Sequence, residues 1–121
     1  FHDNCLEGLI AGPGVKKRWD GKSAGDMADD PEAMDLLAGY LAQALMTYTL
    51  CYAPQKIIIG GGVAKAKTLL FQPLQEIMKT QLAAPLVEHL EILPAQFGTE
   101  AGILGSAHLA LNTHFGETFR A

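Results

Sequence analysis

Lys56-Ile57-Ile58-Ile59-Gly60-Gly61-Gly62-Val63 is the stretch on which the reading of this chain turns. Its first four residues form a short, continuous, largely β-branched run, the pattern of a strand buried on both faces in a parallel or mixed sheet. Three glycines directly after such a strand clear side chains from the corner. Backbone N–H groups then stay uncovered, and something flat or anionic can lie on the main chain. The corner matches no phosphate loop of fixed spacing. A G-x-G-x-x-G fingerprint would need glycine where Lys65 stands, and a G-x-x-x-x-G-K loop followed by Ser or Thr is absent. Taken alone, the triplet reads equally well as a tight strand-to-helix turn and as a nucleotide contact.

Working outward, Pro54 ends a long helix that the pattern places from Asp30 to about Cys51. Asp30 suits the N-cap and Pro31 the first turn. Leu37, Leu41, Ala44, Tyr48 and Cys51 fall on one stripe, widened by Met34, Ala38 and Leu45, so the helix should be covered on most sides. Beyond the glycines, Leu69 to Leu82 has helical spacing through Leu70, Leu74, Ile77 and Met78, with Pro73 near its first turns, and Pro85 breaks it. Glu91 to Pro94 is a second short strand. Glu100 to about Thr113 is a last helix, whose Gly102, Gly105, Ser106 and Ala107 offer a small face for close packing. Upstream, Cys5 to Ala11 reads as a short helix stopped by Gly12-Pro13-Gly14, Val15 to Trp19 as another, and Asp20 to Asp30 mostly as loop. The order is that of the latter part of an α/β layered fold, with helices packed on a partial sheet. The Gly116 to Ala121 tail should fray.

At 121 residues and 49% hydrophobic content, the chain can bury one core and is read as one domain over residues 1–121. A net charge of −4 argues against a nucleic-acid partner, and Lys16-Lys17-Arg18 reads as a solvated helix face. No apolar run approaches the roughly 18–20 residues of a membrane span, and no signal-peptide pattern opens the chain. The expectation is a soluble, cytoplasmic protein without a membrane partner. Cys5 lies among polar residues and Cys51 in an apolar stretch, where it should be buried; no disulfide is expected between them. His89, His108 and His114 read as structural. The chain opens on Phe1 without an initiating Met, as a piece of a longer chain would.

The opening cluster Phe1-His2-Asp3-Asn4-Cys5-Leu6-Glu7-Gly8 carries the second signal. His2 and Cys5 are spaced so that both can reach one Zn²⁺ from a loop entering a helix, although a structural zinc site has four ligands. An ordinary helix start is the competing reading. Glu7 can complement the helix dipole, or accept hydrogen bonds from adjacent sugar hydroxyls. Together with the glycine corner, the cluster points to a nucleotide-using sugar enzyme.

His2-Asp3-Asn4-Cys5-Leu6-Glu7-Gly8-Leu9-Ile10-Ala11-Gly12-Pro13 resembles the second half of the zinc-binding signature of ROK-family sugar kinases, in their fructokinase branch. Arg18-Trp19-x-Gly-Lys22, Ile59-Gly60-Gly61-Gly62-Val63 and Gly98-Thr99-Glu100-Ala101-Gly102-x-x-Gly105-Ser106-Ala107 resemble further segments of that branch, in the same order. The resemblance covers nearly the whole chain. It implies the C-terminal part of an actin-like, ribonuclease-H-type ATPase fold. It also implies transfer of the ATP γ-phosphoryl group to the 6-hydroxyl of fructose with Mg²⁺, in a homodimer. By the same resemblance, His2 and Cys5 are two of four ligands of a structural Zn²⁺, and Glu7 binds the sugar. Gly60, Gly61, Gly62 and Val63 contact the nucleotide, and Gly12 and Pro13 lie at a turn that also approaches it.

The family's Asp-x-Gly-Gly-Thr phosphate motif, its Asn-Asp pair carrying the catalytic base, and its Glu-x-Gly-His sugar motif are not found in these residues. The 121-residue polypeptide is therefore expected to be inactive by itself, with no catalytic residue of its own. Competing readings are a kinase for glucose, mannose or N-acetylmannosamine, the sugar-binding part of a ROK transcriptional repressor, and a binding module using the Asp30 to Cys51 helix. The repressors carry Cys-x-Cys-Gly-x-x-Gly-Cys, where this chain has His2 at the ligand position.

Overall fold

The computed structural model describes residues 4–115. The first helix, α1 (Leu6–Ile10), begins at Cys5, whose Sγ accepts a hydrogen bond from the Gly8 amide at 3.4 Å. Gly12-Pro13-Gly14 does not simply stop this helix. It forms the opening turn of α2 (Gly12–Arg18), which follows almost without a gap. Proline is at home there because its missing N–H would have been an orphan donor in any case. The two helices approach through glycine: an ideal Cβ on Gly14 would lie 1.9 Å from the Gly8 carbonyl oxygen.

A loop leads to Asp30, whose carboxylate accepts from the Glu32 and Ala33 amides at 3.1 and 3.2 Å and so caps α3 (Pro31–Tyr52). Met34, Leu37, Ala38, Leu41 and Leu45 are buried as expected, but the stripe runs on to Thr49 and not to Tyr48 or Cys51. Tyr48 and Cys51 are exposed, as are Leu36, Leu50 and Tyr52. Among the described residues the helix is thus covered on one side only. The thiol of Cys51 is free, so no disulfide joins it to Cys5.

Ala53, in the left-handed region at φ 43°, and Pro54 turn the chain into β1 (Lys56–Ile59). Past the glycines, a 3-10 turn at Val63–Ala66 enters α4 (Lys67–Gln81) earlier than the spacing suggests, which leaves Pro73 in the helix interior. Leu70, Phe71, Leu74 and Met78 are buried, and α4 packs principally against α3. Pro85 lies inside a further short helix, α5 (Ala84–Val87), which precedes β2 (Glu91–Pro94).

The strands pair in parallel, Ile57 beside Ile92 and Ile58 beside Leu93. Gln75 on α4 donates to the Ile92 carbonyl at 3.4 Å. On the face toward α4, Ile92 is buried and Ile57 and Ile59 are half-buried. On the other, Ile58 is 66% and Leu93 40% exposed. Burial of β1 on both faces is therefore not met among the described residues, because the helical layer lies on one side. The last helix, α6 (Ala101–Phe115), follows a 3-10 turn at Gly98–Glu100, and Gly102, Gly105, Ser106 and Ala107 are exposed rather than packed. The expected fraying of Gly116 to Ala121 falls outside the described residues. No helix among those described is long and apolar enough to cross a membrane.

Candidate functional site

The carboxyl end of β1 delivers the glycine corner. Gly61 has φ +77°, a conformation that an L side chain adopts only under strain, and ideal Cβ atoms on Gly61 or Gly62 would meet nothing within 4 Å. No hydrogen bond among the described residues uses the amides of Gly61 and Gly62. Among the described residues they are unpaired donors, the property that lets a main-chain corner hold an anion.

That corner opens into a cavity of about 850 Å³. The volume falls within the roughly 300–1,000 Å³ usual for small-molecule clefts. Gly60, Gly61, Gly62 and Val63 form one wall; Leu6, Glu7, Ile10 and Gly12 come from α1 and the start of α2; Ser23 to Asp26 come from the loop before α3. Glu7 and Gly12 are far in sequence from the 60–63 corner, yet all share this one space. Pro13 does not line it, so of the turn only Gly12 reaches the cleft. The Glu7 side chain makes no hydrogen bond or ion pair among the described residues, which leaves both carboxylate oxygens available to a ligand.

Asp26, also on the rim, is already engaged. Its carboxylate accepts from the Ser23 hydroxyl at 2.7 Å and from the Ser23 amide at 2.8 Å. These bonds hold its carboxyl below the ordinary carboxylate range, hydroxyl bond foremost, with the positive charges of Lys16 and Lys22 adding to the effect. The loop wall is thereby closed on itself.

The expected metal pair cannot be followed as a pair, because His2 lies outside the described residues. Cys5 is half-buried at the head of α1 and does not line the cavity. Among the described residues no three His, Cys, Asp or Glu side chains come together in a way that could hold a metal. His89 borders a separate hollow beside α5, and His108 pairs with Asn112 on exposed α6; neither enters the cleft.

Arg18, quoted above within a family segment, has a bridging role that the sequence did not reveal. It is not a solvated member of the basic run. It donates to the Leu9 carbonyl at 2.9 Å, and its guanidinium lies 5.3 Å from the Trp19 ring centre and 5.2 Å from that of Tyr40. One side chain therefore ties α1, which carries Glu7, to α2 and α3. The adjacent Trp19 was the available local signal; Tyr40 is too distant in sequence to suggest the sandwich.

Comparison with known proteins places this geometry in a family. The profile described as "ROK family" matches residues 1–113. A Bacillus subtilis (strain 168) protein named as a candidate fructokinase is 40% identical over 116 residues, covering 91% of this chain and 38% of its own. The fructokinase of Pediococcus pentosaceus is 39% identical over 115 residues, with the same shares covered. The chain thus spans 38% of the length of these curated relatives. Among solved structures, a ROK family transcriptional regulator, a homolog of the E. coli MLC protein, superposes with a TM-score of 0.70 at 20% identity. That match covers 85% of this chain and 32% of the other. The helices and the two-stranded parallel sheet are accordingly part of the actin-like ATPase fold, and the chain belongs to the ROK family.

Proposed function

We propose that the intact protein carrying this chain is an ATP-dependent sugar kinase that transfers the γ-phosphoryl group of ATP to the 6-hydroxyl of fructose. One observation carries the reading: the Glu7 carboxylate and the bare glycine corner open onto the same cavity. A carboxylate accepts hydrogen bonds from neighbouring sugar hydroxyls more strongly than a neutral acceptor does. Unpaired amides at a strand-to-helix corner suit a polyphosphate. Phosphoryl transfer asks of the protein chiefly that it position the two substrates and stabilise the transferring charge, and a carboxylate and a bare corner lining one cavity suit that demand. Mg²⁺, when bound with ATP, supplies charge neutralisation. The base that takes the proton from the sugar hydroxyl is assigned to no residue of this chain.

The test is a coupled phosphoryl-transfer assay on the intact protein, with fructose, glucose, mannose and N-acetylmannosamine as competing acceptors. Fructose is expected to give the highest kcat/KM. Glu7→Gln removes the charge and keeps the shape. It should raise the sugar KM or lower kcat/KM by roughly 10- to 100-fold, the worth of one hydrogen bond to a charged group at about 1.5–3 kcal/mol. ATP binding in the same variant should stay unchanged. Turnover with no sugar tried would sink the reading.

We also propose His2 and Cys5 as two ligands of a structural zinc. Cys5 heads the helix that carries Glu7, so a metal there would brace that carboxylate from behind. Elemental analysis of the intact protein should find one zinc per chain, and Cys5→Ser should lower that content. Metal-free wild-type protein with full sugar affinity would refute the bracing role.

A further inference from the structure

We propose that Lys65 is a phosphate-binding residue of the cleft, contacting the polyphosphate of a nucleotide seated on the glycine corner. The proposal rests on the reading of that corner as a nucleotide site. Lys65 occupies the position where a dinucleotide fingerprint would need glycine, and the structure shows what a side chain does there. Its amide donates to the Gly62 carbonyl at 3.2 Å, so the 3-10 turn holds Lys65 at a fixed offset from the corner. Its side chain lines the same cavity as Gly60, Gly61 and Gly62.

The stem of Lys65 crosses toward the opposite wall. Its Cδ lies 3.9 Å from where a Cβ on Gly25 would stand, so the stem runs within van der Waals reach of the loop before α3. Its ammonium forms no ion pair or hydrogen bond among the described residues. The carboxylate of Asp26, on the nearby loop, takes its hydrogen bonds from Ser23 and forms no ion pair with Lys65. A cation and amides that have no partner among the described residues thus stand side by side on one wall of the cavity. Such a surface favours a multiply charged phosphate chain and offers a nucleoside without phosphates no comparable gain. A lysine that was merely a solvated surface residue would make no such distinction.

The experiment compares ATP, ADP and adenosine binding by calorimetry to the intact wild-type protein, Lys65→Ala and Lys65→Arg, with thermal midpoints as the folding control. Lys65→Ala should bind ATP about tenfold or more weakly, as expected for one lost bond to a charged group. Adenosine affinity and the thermal midpoint should stay at wild-type values, and Lys65→Arg should recover most of the ATP affinity. Equal losses for ATP and adenosine would overturn the proposal, as would an unchanged ATP affinity in Lys65→Ala. In that last case wild-type ATP binding would still stand, so the nucleotide reading of the cleft would survive and Lys65 alone would fall. A wild-type protein that binds no ATP would remove both.

Discussion

Gly62→Val is expected to lower the ATP affinity of the intact protein by roughly 10- to 100-fold, the equivalent of one charge-assisted hydrogen bond worth about 1.5–3 kcal/mol. Its stability should stay within about 0.5 kcal/mol of wild type, as for other surface changes free of strain. The reason lies in the local geometry. An ideal Cβ at Gly62 meets nothing within 4 Å, and its φ is not positive, so a branched side chain fits without displacing the fold. Gly62 itself lines the cavity, so the same side chain would take up space beside amides that are unpaired among the described residues. Gly61→Val makes the instructive contrast. At φ +77° an L side chain carries left-handed strain of about 1–2 kcal/mol, so that variant should lose stability and affinity together. Calorimetric ATP titration with thermal melts of both variants separates the two effects. An unaltered ATP affinity in Gly62→Val would take the glycine corner out of the nucleotide site.

Gly14→Ala should do the opposite, damaging the fold first and the sugar site as a consequence. The new methyl carbon would fall 1.9 Å from the Gly8 carbonyl oxygen and 2.6 Å from its carbon. Those atoms are backbone and cannot rotate away, so α1 and α2 must part. Overpacking of this kind costs about 1–3 kcal/mol. Glu7 precedes the displaced residue directly, so sugar affinity should fall as well. Gly12→Ala is the matched control: the same chemical change two residues away meets nothing within 4 Å. Denaturant unfolding should show Gly12→Ala near wild type and Gly14→Ala well below it. Equal stabilities would contradict the close approach of the two helices.

What the sequence made legible was local. Asp30-Pro31 announces a capped helix, Lys56 to Ile59 a strand, and the glycines a bare corner, because each signal lies within a few neighbouring residues. The face assignments were less secure. Leu36, Tyr48, Leu50 and Cys51 sit on a helix that is apolar nearly all round, and periodicity cannot say which apolar side its neighbours cover. Gly12-Pro13-Gly14 does end one helix, but the next begins at Gly12 and not at Val15, because a proline that ends one helix serves equally well in the first turn of the next. Glu7, Gly12 and the 60–63 corner were picked out separately, each by its own chemistry or by resemblance. Their meeting in one cavity is set by how α1 and the loop before α3 fold back toward the end of β1, and no local pattern encodes that. Lys65 reaching past Gly25, and Arg18 gripping Leu9 between two rings, are long-range events of the same kind.

Because Trp19 is the sole indole in the chain and lies against Arg18, the joint between the first two helices contains its own optical gauge. A shift in its emission would register any slackening of the Arg18 grip without a dye or a label. The movement of the carboxylate-bearing segment could then be timed in stopped flow.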